Sequence, residues 1–93
     1  MIIIKQAAKE DLQQIKEYIS KDSIFYANKT INEIYKRRYN LLLFPEMGRV
    51  IDENNNTRQI IYKSYKILYR FDSNNIYIVH IIHHSRNISY LKL

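Results

Sequence analysis

The apolar positions of this chain follow one period in its first half and another in its second. Ile2-Ile3-Ile4 is a β-branched run and predicts a short strand. Ala8, Leu12, Ile15 and Ile19 then recur at spacings of 4, 3 and 4, one face of an amphipathic helix with Lys9, Lys16 and Glu17 on its wet side. Asp22-Ser23 offers a helix N-cap. A second stripe follows through Ala27, Ile31, Ile34 and Leu41 or Leu42. So short a joint predicts two helices lying antiparallel as a hairpin. Pro45 ends the second helix, and Gly48 predicts a turn in a backbone conformation that other residues resist.

Past the polar loop Asp52-Glu53-Asn54-Asn55-Asn56 the period drops to 2. Tyr65, Ile67, Tyr69 and Phe71 alternate with Lys66, Leu68 and Arg70, as in a strand. Arg58 to Lys63 reads as the strand before it and Ile76 to Ile82 as the strand after. Asp72-Ser73-Asn74-Asn75 predicts a hairpin turn, with asparagine supplying positive φ. The order strand, helix, helix, strand, strand, strand defines an α+β fold. An N-terminal strand and an antiparallel helical hairpin packed on one face of a mostly antiparallel sheet make a single domain over residues 1–93, and leave the other sheet face free for a partner.

Charge adds a direction to this picture. The chain carries +6 overall, and residues 57–93 contribute Arg58, Lys63, Lys66, Arg70, Arg86 and Lys92 against Asp72 alone. A basic half suits a polyanion or an acidic protein segment. Nine tyrosines against one glycine suit half-buried strands and binding surfaces alike. The chain has no cysteine, so no disulfide or thiolate–metal framework supports the fold, and a reducing cytoplasm fits. The apolar run before Lys5 is too short for a signal peptide or a membrane span, which predicts no membrane partner. His80, His83 and His84 do not predict a metal, because positions 80 and 83 of a strand point to opposite faces and no carboxylate is near in sequence. No cofactor is expected.

Taken together, Ala8, Asp11-Leu12, Ile15, Tyr18-Ile19, Phe44-Pro45-Glu46-Met47-Gly48-Arg49, Arg58, Tyr65-Lys66-Ile67-Leu68-Tyr69, Ile76, Ile78, Ile81 and His83-His84-Ser85-Arg86 resemble, in this order, the ParE/RelE toxin superfamily over nearly the whole chain. The resemblance implies a growth-inhibiting toxin held in check by a cognate antitoxin with an acidic, partly disordered segment. RelE-like members cut messenger RNA on the ribosome; ParE-like members share the fold, lack that cleavage site and poison DNA gyrase. The Pro-Glu-Met-Gly-Arg stretch and the His83-x-x-Arg86 ending look ParE-like.

A RelE-like reaction would need a base for the ribose 2′-hydroxyl proton, cations for the phosphorane charge and an acid for the leaving oxygen. Lys66 and Arg86 fall on that pattern, and His83 is the candidate base or acid by the chemistry of its imidazole. Lys66 stands where the pattern has an arginine and cannot grip phosphate in bidentate fashion. Thr57 and Gln59 stand where it has a lysine pair, and its C-terminal tyrosine would fall near Lys92 rather than at Tyr90. For partner binding the candidates are Arg49, Arg58, Tyr65, His83 and Arg86. Arg49 is also placed to fix its own loop by hydrogen-bonding carbonyls, and Arg38 to reach the sheet or a partner's carboxylate.

Overall fold

The computed structural model describes residues 1–84. Strand β1 (Ile2–Ile4) leads into helix α1 (Gln6–Ser20) and helix α2 (Ile24–Leu43). Strands β2 (Arg49–Asp52), β3 (Thr57–Tyr62), β4 (Tyr65–Phe71) and β5 (Ile76–His83) complete the chain. They form one sheet in the order β1-β5-β4-β3-β2. The β1–β5 pair is parallel and the others are antiparallel. The predicted α+β class holds, with a fifth strand that the pattern did not announce. β2 is only Arg-Val-Ile-Asp, too short to show a period, and it exists because the 53–56 turn folds it back onto β3.

The helices form where the sequence placed them. Ser23 Oγ accepts the Tyr26 N–H at 3.2 Å and caps α2, satisfying one of the donors a helix start leaves unpaired. α2 ends at Leu43, directly before Phe44-Pro45. Ala8 and Leu12 from α1, and Ile34 and Leu41 from α2, are buried against Ile60, Ile67, Tyr69, Ile76, Ile78 and Ile81. Cross-strand partners share a face, so the register assigns the rest. Arg58, Tyr62, Tyr65, Phe71 and His83 lie on the helix side, and Arg49, Gln59, Ile61, Lys66, Arg70 and Ile82 on the outer side. The outer face is only partly open. Ile61 is 61% exposed, but Leu68 and Ile82, which share that face, are buried.

Two turns work differently from expectation. Positive φ occurs at Asn56 and Lys63, not in the 72–75 turn. That turn is held by the Asp72 carboxylate, which accepts the N–H groups of Asn74 at 3.0 Å and Asn75 at 2.8 Å and the Tyr77 hydroxyl at 2.9 Å. An aspartate that closes its own turn removes the need for a left-handed residue. The Asn74 N–H, then the Tyr77 hydroxyl, hold this carboxyl below the ordinary carboxylate range. A depressed carboxyl stabilises the fold above its unfolded pKa, and that contribution disappears as pH falls through the folded value. The urea midpoint should therefore drop below about pH 4 less steeply in Asp72→Asn than in the parent chain. Parallel acid limbs would refute this role for the turn.

Gly48 also departs from expectation. Its φ is not positive; the need is for room. A Cβ there would stand 2.6 Å from Tyr69 Oη and 2.7 Å from the Gln59 carbonyl oxygen.

Candidate functional site

The α2–β2 connection is fastened to the sheet by two side chains. Tyr69 is fully buried; its hydroxyl accepts the Gly48 N–H at 2.9 Å and donates to the Pro45 carbonyl at 2.7 Å. Burial pushes its phenol above the ordinary tyrosine range, so it remains a donor at neutral pH. Arg58 donates from Nη1 to the carbonyls of Glu46 at 3.0 Å and Gly48 at 2.9 Å. Its guanidinium lies 5.6 Å from the centre of the Phe71 ring. The loop-fixing role that the sequence suggested for Arg49 thus falls to Arg58, because position 58 faces the helix side and position 49 the outer side. Arg49 is exposed.

This clamp holds out an apolar surface. Tyr39, Leu42 and Leu43 on the last turns of α2, then Phe44, Met47 and Val50, are all exposed large hydrophobics, with Phe44 at 64% and Met47 at 51%. Large exposed apolar patches on small domains mark interaction sites. Sequence reasoning singled out Arg49 in the Phe44–Arg49 stretch as a partner-binding candidate and left the apolar residues there as a family signature. Their signal was available: apolar residues continue past the core stripe of α2 at positions the helix turns away from the sheet. Arg38 stays on its own helix, donating to the Tyr35 carbonyl at 2.9 Å and lying over the Tyr35 and Tyr39 rings.

A second group gathers at the far end of β4 and β5. Tyr65 and His83 are cross-strand partners, with ring centres 5.8 Å apart edge to face. His83 stacks on His84 at 4.9 Å. The His84 backbone N–H donates to the Ser64 carbonyl at 2.7 Å. Nearby, Arg37 lies over the Tyr62 ring and Lys63 pairs with Glu33 at 3.6 Å. Burial pushes the Tyr65 phenol up. Lys66 pairs across the strands with Ile82 and so projects from the opposite face to His83. The structure therefore brings Tyr65 and His83 together but not Lys66 and His83. Arg86 lies outside the described residues.

His80 is held elsewhere. Its Nδ1 donates to Asp11 Oδ2 at 3.0 Å, and the same oxygen accepts the Ile81 N–H at 3.0 Å. A carboxylate distant in sequence is thus close in space. The β4–β5 register slips between Leu68 and Tyr69, leaving Val79 as an extra residue. β1 pairs with β5 only up to Ile78, and Asp11 caps an N–H of the edge beyond it. Among the described residues no three potential metal ligands cluster, and no helix is long and apolar enough to cross a membrane.

A helical hairpin on one side of a five-stranded sheet, with a clamped apolar connection and basic residues on the sheet's outer face, defines a small α+β protein. The family described as "ParE toxin of type II toxin-antitoxin system, parDE" matches residues 2–88. This chain belongs to that ParE toxin family. Among solved structures it is similar to "Chromosomal ParDE TA system from P. aeruginosa", with a TM-score of 0.74 at 19% identity, covering 88% of this chain and 92% of that one. The search of curated proteins returns no match.

Proposed function

We propose that this chain is a growth inhibitor that binds DNA gyrase as a protein ligand, stabilises a cut gyrase–DNA complex and makes or breaks no covalent bond itself. A cognate antitoxin neutralises it in the cytoplasm. Membership of the ParE family supports the reading, and one observation carries it over the ribonuclease alternative. The candidate residues for RelE-like cleavage diverge, Lys66 to the outer face and His83 to the helix side. Two groups on opposite faces of a sheet cannot attend one phosphate.

The antitoxin part of the reading rests on the same family and on charge. A protein of net charge +6 attracts an acidic segment, and a segment that folds on binding suits a small, largely preformed surface. The solved P. aeruginosa relative is itself described as a ParDE toxin–antitoxin system.

The deciding experiment uses purified gyrase and relaxed plasmid. The chain should block supercoiling and leave linearised plasmid, and a molar excess of antitoxin should restore supercoiling. If gyrase is untouched while translated messages are cut, the ribosome-dependent endoribonuclease replaces this reading.

A further inference from the structure

We propose that Arg49 and Lys66, on the outer face of the sheet, hold phosphates of the DNA in the cut gyrase complex, so that the chain grips protein and nucleic acid together. The inference rests on the gyrase reading and adds DNA as a second contact.

The strand register brings the two cations to one area. Arg49 pairs with Gln59 and Gln59 with Leu68, while Lys66 pairs with Ile61 and Ile82. Cross-strand partners share a face. Two strand spacings and two residues then separate the backbones of Arg49 and Lys66, about 12 Å. That is the scale of the major groove, roughly 12 Å across between the phosphate backbones of a duplex. Arg49 is exposed and Lys66 half-exposed, and Ile61 beside Lys66 is 61% exposed, so the area is open to a large partner.

Charge decides the occupant. Among the described residues, the carboxylates that reach this face or its margins are each engaged within the fold. Asp52 accepts the Asn54 N–H at 3.0 Å and Asn55 Nδ2 at 2.9 Å. Asp72 accepts the Asn74 and Asn75 N–H groups and the Tyr77 hydroxyl. Asp11 accepts the Ile81 N–H and His80. Asp52 and Asp72 also lie at the Arg70 end of the face, where Arg70 donates to Thr57 Oγ1 at 3.0 Å and pairs with Tyr77. Arg49 and Lys66, by contrast, have no hydrogen-bonded or ionic partner among the described residues. Cations left without an internal acceptor, beside carboxylates already satisfied, attract a polyanion. Lysine and arginine contacts to phosphate supply essentially all of non-specific DNA affinity.

The same face lacks the means to cut what it holds. His83 stands on the helix side and His80 is engaged by Asp11, so among the described residues no imidazole meets Lys66 there. Holding phosphate without cutting it suits a chain that stabilises a break made by another enzyme.

The test titrates the full chain onto purified gyrase, with and without a bound duplex carrying a cleavage site. The parent chain should bind the DNA-loaded enzyme on the order of tenfold more tightly, and that gain should fall about tenfold over a roughly fourfold rise in salt, as two phosphate contacts dictate. Arg49→Gln with Lys66→Gln should erase the gain and its salt dependence and leave less linearised plasmid. Arg49→Lys keeps a point charge that binds phosphate and should keep most of the gain. Neither side chain is engaged in the fold, so thermal melts of the variants should match the parent. A parental gain in the double variant, or no gain in the parent chain, overturns the DNA contact and leaves the gyrase reading standing. Equal losses with and without DNA give the two cations to a protein contact and overturn it as well. Tighter binding of single-stranded RNA than of the duplex by the chain alone assigns the face to RNA and overturns it too. A parent chain that binds gyrase in neither form overturns the gyrase reading and this inference together.

Discussion

Gly48→Ala should destabilise the fold by about 3 kcal/mol, at the upper end of the range for forcing atoms into packed space. The new Cβ would meet the Tyr69 hydroxyl and ring edge and the Gln59 carbonyl oxygen. The Tyr69 ring is fully buried and stacked near Phe71, and Gln59 O belongs to the β2–β3 region, so neither neighbour can give way cheaply. Any retreat also stretches the hydrogen bonds from Gly48 N–H to Tyr69 and from Tyr69 to Pro45. In a domain of this size the loss corresponds to roughly 15 °C in Tm and is a large share of a typical total of about 5–15 kcal/mol. Adding Tyr69→Phe relieves the closest contact but leaves the Gln59 clash and an unpaired Gly48 N–H, so the double variant should remain far below the parent. A thermal shift under 3 °C for Gly48→Ala would show that the connection yields, and the idea of a rigid shelf would fail with it.

Asp11→Ala should cost about 3 kcal/mol and loosen the edge of β5. One carboxylate oxygen serves both the Ile81 N–H and His80. Removing it leaves a main-chain donor unpaired beside a residue only 3% exposed, and a buried donor without a partner forfeits its full desolvation cost. Asp11→Asn keeps an acceptor oxygen for Ile81 and should recover about half of the loss. Urea unfolding measures the energy, and hydrogen exchange at the Ile81 amide locates it. Equal stability in Asp11→Ala, or loss of protection spread evenly over β5, would mean that the edge N–H is satisfied another way. His80→Ala should do less damage than Asp11→Ala, since the Ile81 bond survives it.

Both variants probe contacts that join residues far apart in sequence, and that is where sequence reasoning stopped. The helix stripes Ala8–Ile19 and Ala27–Leu41 were legible because a 3.6-residue period and a serine cap are local properties. The alternation in β4 was legible for the same reason, and Tyr65, Ile67, Tyr69 and Phe71 do face the helices. β2 was not legible, since four residues carry no period and the strand depends on β3 for its hydrogen bonds. The left-handed residues were misplaced because an aspartate and an asparagine close turns by different means, and only the fold decides which one acts.

Among the site residues, the chain itself named the Phe44–Arg49 stretch, Arg58, Tyr65, Lys66 and His83. It did not say that Arg58 is consumed in holding a loop while Arg49 is left exposed, a division set by one step of strand register. The sequence alone determined a basic α+β domain, because periodicity, caps and net charge are written along the chain, and its ordered motifs resembled the ParE/RelE superfamily. Only the tertiary structure decided that Lys66 and His83 part company, that Asp11 reaches His80 and Ile81, and that Tyr69 fixes the connection beneath an exposed apolar shelf. Such outcomes depend on which faces and edges meet when β1 enters beside β5 and α2 crosses the sheet, and no local pattern encodes that meeting.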